Sequence, residues 1–353
     1  MKYDIVDLLK EMHDLKASDL HITVGKPPVY RVNGELISYG EEKLSPEDTR
    51  NIVYQIMNEV QIQKFESQGE LDFSFGIPGL GRYRVNAYRQ RATVAAALRR
   101  IPFEVPHIDD LGLPEVVKDL IHKRQGLILV TGPTGSGKST TLASLIQQIN
   151  ITYPYHILTI EDPIEYVFRH GKSMVNQREV GADTLSFANA LRAALREDPD
   201  VVMVGEMRDL ETIQTVLTLA ETGHLVFATV HTNSAAQTID RIVDVFPPHQ
   251  QPQVRIQLSS VLIAVISQRL LKRSDGRGRV LAAEIMIANS AIRALIREGK
   301  THQILSHIQM GASEGMQPMD KALAMLVKRG LVDYDEALHY VHSLNDFNRY
   351  LGM

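Results

Sequence analysis

The apolar run Gly126-Leu127-Ile128-Leu129-Val130-Thr131 passes straight into Gly132-Pro133-Thr134-Gly135-Ser136-Gly137-Lys138-Ser139, and a helical pattern leaves it. Strand, glycine-rich turn and helix in that order restrict the fold sharply. The three glycines let the backbone wrap so that successive N–H groups point into one concavity, at the positive end of the following helix. Such a concavity takes phosphate, and the pattern is that of a P-loop. Pro133, Thr134, Gly135, Ser136, Gly137, Lys138, Ser139 and Thr140 form the predicted cradle. Lys138 reaches the outer phosphates of a nucleotide and Ser139 offers its hydroxyl to Mg²⁺. Leu142, Leu145, Ile146 and Ile149 then recur at helical spacing and are expected to face a sheet.

At 353 residues the chain exceeds the usual ~100–200 residues of one domain, so two or more units are expected. The formal net charge of -4, with both signs interspersed, carries no footprint for nucleic acid. Cysteine is absent, which excludes disulfide frameworks and thiolate metal sites and fits a reducing compartment. The charged start Met1-Lys2-Tyr3-Asp4 runs into an amphipathic helix pattern and does not read as a signal peptide. After the P-loop strand no apolar run is longer than Val261–Ile266, far short of the ~20 residues of a membrane span. The expectation is a cytoplasmic protein that meets a membrane only through a partner.

Residues 1–100 mix helix and strand signals in α+β order. A helix is expected at about 4–16, with strands near 20–24 and 29–32. Ser45-Pro46-Glu47-Asp48 opens a second helix that continues through Ile52, Val53, Ile56, Met57 and Val60. Period two follows: Leu71, Phe73 and Phe75 alternate with polar residues, and after a turn Tyr83, Val85 and Ala87 alternate with Arg82, Arg84 and Asn86. Two arginines thus share an exposed face. Prolines at 102, 106 and 114 mark residues 101–114 as a semi-rigid linker. Beyond it, apolar strands at 157–160, 201–204 and 225–230 alternate with helices at about 186–197 and 209–221, which predicts a parallel sheet covered on both faces. From Pro247-Pro248 onward the chain is read as all-helical, with patterns at about 250–271, 290–298, 301–310, 318–329 and 334–343.

Nucleotide hydrolysis calls for a carboxylate to orient water and for groups that absorb charge on the transferred phosphoryl. The strand at 157–160 ends in Glu161-Asp162-Pro163-Ile164-Glu165. The carboxyl ends of parallel strands line the ligand crevice, so these carboxylates are expected beside the P-loop, with a solvated acidic turn as the alternative. The strand at 201–204 ends in Gly205-Glu206, which looks like a Walker B element with glutamate in place of aspartate. Two roles stay open for Glu206: holding Mg²⁺ through water, or orienting the attacking water. Asp209 reads as the N-cap of the next helix. The strand at 225–230 is bracketed by His224 and His231, about 23 Å apart by strand rise, so the two cannot share a metal. His231, with Thr229 and Asn233, is read as a γ-phosphate sensor, and His224 as a subunit contact or structural.

In this order the P-loop, Glu161–Glu165, the segment from Leu195-Arg196-Glu197-Asp198 to Asp209, and Thr222–Asn233 resemble the secretion ATPases of the type II/IV superfamily. Among these the pattern is most similar to the PilT family of type IV pilus retraction motors. Ala17-Ser18-Asp19-Leu20-His21 with Gly25-Lys26-Pro27-Pro28 looks like the opening of the family's PAS-like domain. Ala291-Ile292-Arg293-Ala294-Leu295-Ile296-Arg297-Glu298-Gly299-Lys300 is similar to its retraction signature. The chain departs from the family at Ala294, where asparagine is usual, and at Pro318, where threonine is usual.

The resemblance implies an α/β protein with a PAS-like α+β domain over 1–100 and a linker over 101–114. A RecA-like P-loop ATPase domain follows over 115–353, its C-terminal subregion helical from about 250. It also implies ATP and Mg²⁺ as ligands and a homo-hexamer in which the first domain of one subunit packs on its neighbour. Arg82, Arg84 and the Arg99-Arg100 pair are then the candidate arginine fingers. Glu165 is favoured for polarising water, with Glu161 nearer the nucleotide or metal and Glu206 as the Walker B carboxylate. The implied setting is the cytoplasmic face of the inner membrane, on a pilus platform protein, with a second retraction ATPase as a further partner. A related assembly or export ATPase is the rival enzyme. Its usual four-cysteine zinc module and longer N-terminal region are not matched. A non-hydrolysing nucleotide-binding subunit is the rival of another class, and the set of carboxylates beside an intact lysine and serine argues against it.

Overall fold

The computed structural model describes residues 3–102 and 104–353. Met1 and Lys2 of the charged start, and Phe103 of the predicted linker, lie outside the described residues. The chain divides into two compact units, Met1–Glu104 with Pro163–Val167, and Val105–Asp162 with Phe168–Met353.

The first unit is built on a six-stranded antiparallel sheet. In chain order its strands are β1 (Asp19–Ile22), β2 (Val29–Val32), β3 (Glu35–Ser38), β4 (Glu70–Ile77), β5 (Gly81–Gln90) and β6 (Thr93–Ile101), and in space they run β3-β2-β1-β6-β5-β4. Period two sorts the faces: Tyr83, Val85 and Ala87 of β5 are buried, while Arg84 and Asn86 are exposed. Onto the apolar face packs the helix Ile5–Asp14, whose Ile5, Leu8, Leu9 and Met12 are buried. Pro46–Tyr54 packs there too, opened by a reciprocal capping box between Ser45 and Asp48. The helix expected to run on through Val60 is instead two. It stops at Tyr54 and a second capping box, Asn58 with Gln61, starts Glu59–Gln68, leaving Val60 exposed. β3 and β6 were not anticipated by the pattern reading. Each follows its neighbour through a two-residue turn with positive φ at both positions, Asn33-Gly34 and Arg91-Ala92.

The second unit contains a seven-stranded sheet: β7 (Gly126–Thr131), β8 (His156–Glu161), β9 (Met174–Glu179), β10 (Val201–Val204), β11 (Leu225–Val230), β12 (Leu262–Lys272) and β13 (Arg279–Ile287), in the order β13-β12-β7-β11-β10-β8-β9. Every neighbouring pair is parallel except β12–β13. All residues of β7, β10 and β11 are buried, the signature of a sheet covered on both faces. Leu127, Leu129, Val202, Val204, Val226 and Ala228 pack with the helices Leu210–Glu221 and Ala235–Asp244 on one side.

The expectation of an all-helical region from residue 250 is corrected here. The helix Gln251–Val261 ends where Leu262 turns extended, and β12 and β13 form a long antiparallel hairpin before the helices resume at Ser290. The physical reason is burial. Val261–Ile266 is apolar at every position because β12 sits inside the sheet beside β7, so period two is erased. Residues 105–114 pack within the second unit: Ser144 Oγ donates to the Pro106 carbonyl at 2.7 Å, and Ile108 and Leu113 are buried.

Candidate functional site

Strand register gathers the candidate residues of the second unit. Leu129, Ala228, Val204 and Ile160 lie level across β7, β11, β10 and β8. The residues at or just beyond the strand ends, Gly132, His231, Gly205-Glu206 and Glu161, therefore emerge along one edge. This is where ligands bind in open parallel sheets.

The P-loop itself shows why its glycines are there. A Cβ on Gly132 would stand 2.4 Å from Ser136 Oγ and 2.5 Å from the Gln268 carbonyl oxygen, so any side chain would open the loop. Gly137, at φ 87°, is the left-handed residue that starts the helix Lys138–Thr152. Lys138 is buried and donates its Nζ to the Gly132 carbonyl at 3.0 Å and the Pro133 carbonyl at 2.9 Å, which holds the ammonium across the mouth of the loop. Ser139 and Thr140 follow on the first turn, half-buried, while Thr134 and Gly135 are exposed at the apex.

Next along the edge, Glu206 is fixed by two neighbours. Arg208 Nε lies 2.5 Å and His231 Nε2 3.2 Å from Glu206 Oε1. Both contacts fall on one oxygen, so Oε2 is the atom through which Glu206 would meet water. The Glu206 hydrogen bond, with its charge, pushes the Arg208 guanidinium still further toward its charged form. Thr229 braces the loop from β11: its Oγ1 donates to the Gly205 carbonyl and its carbonyl accepts from Met207 N at 3.0 Å. Asp209 caps the helix Leu210–Glu221 by accepting from Thr212 N, as its position suggested.

Glu161 is buried. Its Oε1 accepts from the Thr159 hydroxyl at 2.7 Å and the Gln177 amide at 3.2 Å. Glu165 is an exposed residue of the segment 163–167, which groups with the first unit. His224 sits at the opposite end of β11 from His231, its ring nitrogen Nδ1 2.9 Å from the Leu219 carbonyl at the end of the helix Leu210–Glu221. That is a structural clasp. On the first unit, Arg84 and Arg99 stand directly opposite each other on β5 and β6, and Asp19 of β1 pairs with Arg99 at 2.8 Å. Arg82 donates to Ser74 Oγ at 2.7 Å.

Sequence reading missed three contributors. Arg208, a cation two residues beyond Glu206, was given no role by the sequence reading. Gln268 and Arg279, which contact the P-loop from β12 and β13, were hidden by the helical reading of that region.

Residues 4–338 match the family model described as type II/IV secretion system protein. The chain belongs to the type II/IV secretion system protein family. Within it, the chain is 53% identical over 334 residues to the type IV pilus retraction ATPase PilT of Pseudomonas aeruginosa, covering 95% of this chain and 97% of that one. It is 42% identical to the type IV pilus ATPase PilU of the same organism, over 96% of this chain and 89% of that one. A crystal structure of the pilus retraction motor PilT with bound ADP superposes with a TM-score of 0.91 at 55% identity, covering 99% of this chain and all of that one.

Ser139 and Glu206 are the residues that would hold Mg²⁺ beside bound phosphate. No cluster of three or more His, Asp or Glu side chains suited to a metal occurs among the described residues. A magnesium ion that keeps most of its waters and rides on phosphates needs only a hydroxyl and a nearby carboxylate, which Ser139 and Glu206 supply.

Proposed function

We propose that the protein is the ATPase motor of type IV pilus retraction, converting ATP hydrolysis into depolymerisation of the pilus and hence twitching motility. The observation that carries this reading is near full-length identity of 53% to the PilT retraction ATPase, combined with a complete P-loop set on the carboxyl edge of the parallel sheet. In this reading the first unit is PAS-like and the second RecA-like. The antiparallel sheet with helices on one face and the parallel sheet with P-loop support the assignment.

The chain's residues divide the work as follows. Backbone N–H groups of the P-loop and Lys138 bind the phosphates, and Ser139, with Glu206 through water, would hold Mg²⁺, which neutralises phosphate charge when bound. Glu206 Oε2 orients water, and His231, already on Glu206, senses the terminal phosphate. Glu161 stays close to the nucleotide and Glu165 polarises the attacking water. Arg82, Arg84 and Arg99 act on a nucleotide held by a neighbouring subunit of a homo-hexamer, absorbing charge as arginine fingers do. The ring works at the cytoplasmic face of the inner membrane on a platform protein, with a second retraction ATPase as partner. No described helix is long and apolar enough to cross a membrane.

Two measurements test this. Lys138→Ala in the assembled protein is expected to abolish phosphate release, and turnover at the wild-type rate would overturn the site assignment. A deletion strain is expected to carry excess, static pili and to lose twitching. Loss of pili instead would assign the protein to assembly. In the same strain, complementation by Ala294→Asn compared with wild type tests whether the departure in the retraction signature limits retraction.

A further inference from the structure

The P-loop has a wall behind it that the phosphate-binding pattern does not include. β12 pairs with β7 only as far as Ser267 opposite Thr131, where β7 turns into the loop, and residues 268–272 continue past that point. Side chains of this overhang alternate. Gln268 and Leu270 face the loop: Gln268 Nε2 donates to Thr141 Oγ1 at 2.7 Å, and Leu270 Cδ1 would lie 3.4 Å from a Cβ on Gly137. Arg269 and Leu271 face the other way, the first with its guanidinium 6.0 Å from the Tyr340 ring centre and the second buried with Met319, Leu323 and Phe347. The overhang is therefore clamped between the P-loop and the C-terminal helices. From β13, opposite Lys272, Arg279 reaches over and donates Nη1 to the Gly135 carbonyl at 3.2 Å.

We propose that Arg279 is a positioning residue for the nucleotide, acting in cis on the P-loop through the Gly135 carbonyl; this rests on the reading of residues 132–139 as the nucleotide site. A peptide unit is planar, so holding the Gly135 oxygen toward Arg279 turns the Ser136 N–H the opposite way. That N–H donates to the Pro133 carbonyl at 3.3 Å, and the same carbonyl accepts from Lys138 Nζ at 2.9 Å. One guanidinium thus sets the tilt of the apex peptide and, one hydrogen bond further on, the resting place of the lysine that must swing to the phosphates. It also places a fixed positive charge just behind an anion-binding loop, which favours bound phosphate at low salt. Arg279 has its position because the β12–β13 ladder is continuous from Ala264–Ile287 to Lys272–Arg279.

The test compares Arg279→Ala, Arg279→Lys and Arg279→Gln with Arg277→Ala, a neighbour on the same turn, in the assembled protein. A charge-assisted hydrogen bond of this kind implies that Arg279→Ala weakens fluorescent-ADP binding about tenfold or more and raises the KM for ATP by a similar factor, with a smaller change in kcat. Arg279→Lys keeps the charge and is expected to recover part of the affinity, most clearly at low ionic strength. Arg279→Gln keeps a donor and is expected to lose the salt dependence. Arg277→Ala is expected to match wild type. Arg279→Ala with ADP affinity and KM within twofold of wild type overturns the proposal. So does equal loss in all three Arg279 variants with no change in salt dependence. Lys138→Ala, run alongside, separates the two readings: if it hydrolyses ATP normally the P-loop assignment itself fails, whereas if it is inactive while Arg279→Ala binds normally only the role of Arg279 fails.

Discussion

In β5 of the first unit buried and outward-facing side chains alternate, whereas in β11 of the second unit all six are buried. The two sheets solve opposite problems. An antiparallel sheet with helices on one face keeps its other face for water, and that face collects charge: Asp19, Arg99 and Arg84 stand level across three strands. A parallel sheet covered on both faces has no lateral surface left, so its polar chemistry is pushed to the strand ends, where Gly132, Glu206, Glu161 and His231 meet. Position along the strand decides where polar groups stand in the second unit, and choice of face decides it in the first.

The largest expected effect comes from moving a charge one residue along each strand. In β11, Val226→Lys and Phe227→Lys should both unfold the second unit, since either ammonium enters an apolar layer at a cost of several kcal/mol. In β5, Val85→Lys should unfold the first unit, while Asn86→Lys should stay within about 0.5 kcal/mol of wild type because Asn86 is exposed opposite Asp72. Thermal melts and limited proteolysis of the four variants decide it. A tolerated lysine at either β11 position would break the contrast.

Truncation gives a smaller version of the same comparison. Leu129→Ala, at the fully buried centre of β7, is expected to cost about 2–5 kcal/mol. Ile37→Ala, on the edge strand β3 where the side chain is 49% exposed, should cost less than about 0.5 kcal/mol. Denaturant midpoints check both values, and similar losses at the two sites would show that β3 is covered by something in solution.

This contrast also explains what could be read in advance. The strand–loop–helix around Lys138 was legible because its glycines are required by contacts of 2.4–2.5 Å and by a left-handed φ at Gly137, constraints that act on single residues. β5 was legible because one of its faces is wet. β12 was not, because burial on both faces left Leu262–Ile266 apolar throughout and a helix runs directly into it. Its turn, with Asp275-Gly276 and Gly278, was the signal that would have given the hairpin, and Asn33-Gly34 would have given β3. The edge strand β9 carries Asn176, Gln177 and Arg178 in succession and has no apolar period to detect. At the site, strand ends pointed to Glu161 and Glu206, while sequence alone gave no sign that the segment 163–167, with Glu165, groups with the first unit.

The smallest expected effect is in pH dependence, where one carboxyl from each unit acts with opposite sign. Burial alone would raise Asp19, yet the Ser18 hydroxyl and the Arg99 guanidinium outweigh it and hold its carboxyl below the ordinary 3.8. The folded state therefore keeps Asp19 ionised where the unfolded chain has begun to protonate. Its stabilisation is complete above the ordinary aspartate value and is lost as pH falls below it through the depressed one. Glu284, on β13, is the reverse: burial raises it above the ordinary 4.5, and the N–H groups of Ala235 and Met319 together with His342 only partly offset this, while Asp320 adds to it. The folded state prefers the protonated form, so that stability is present below the ordinary glutamate value and is lost as pH rises through the elevated one. In melts followed as a function of pH, Asp19→Asn is expected to flatten the acid side of the profile. Glu284→Gln, which preserves an oxygen for both N–H groups, is expected to flatten the slope above the glutamate range, each change amounting to no more than one proton. A Glu284→Gln profile with the wild-type slope would mean that this carboxyl is ionised in the folded protein.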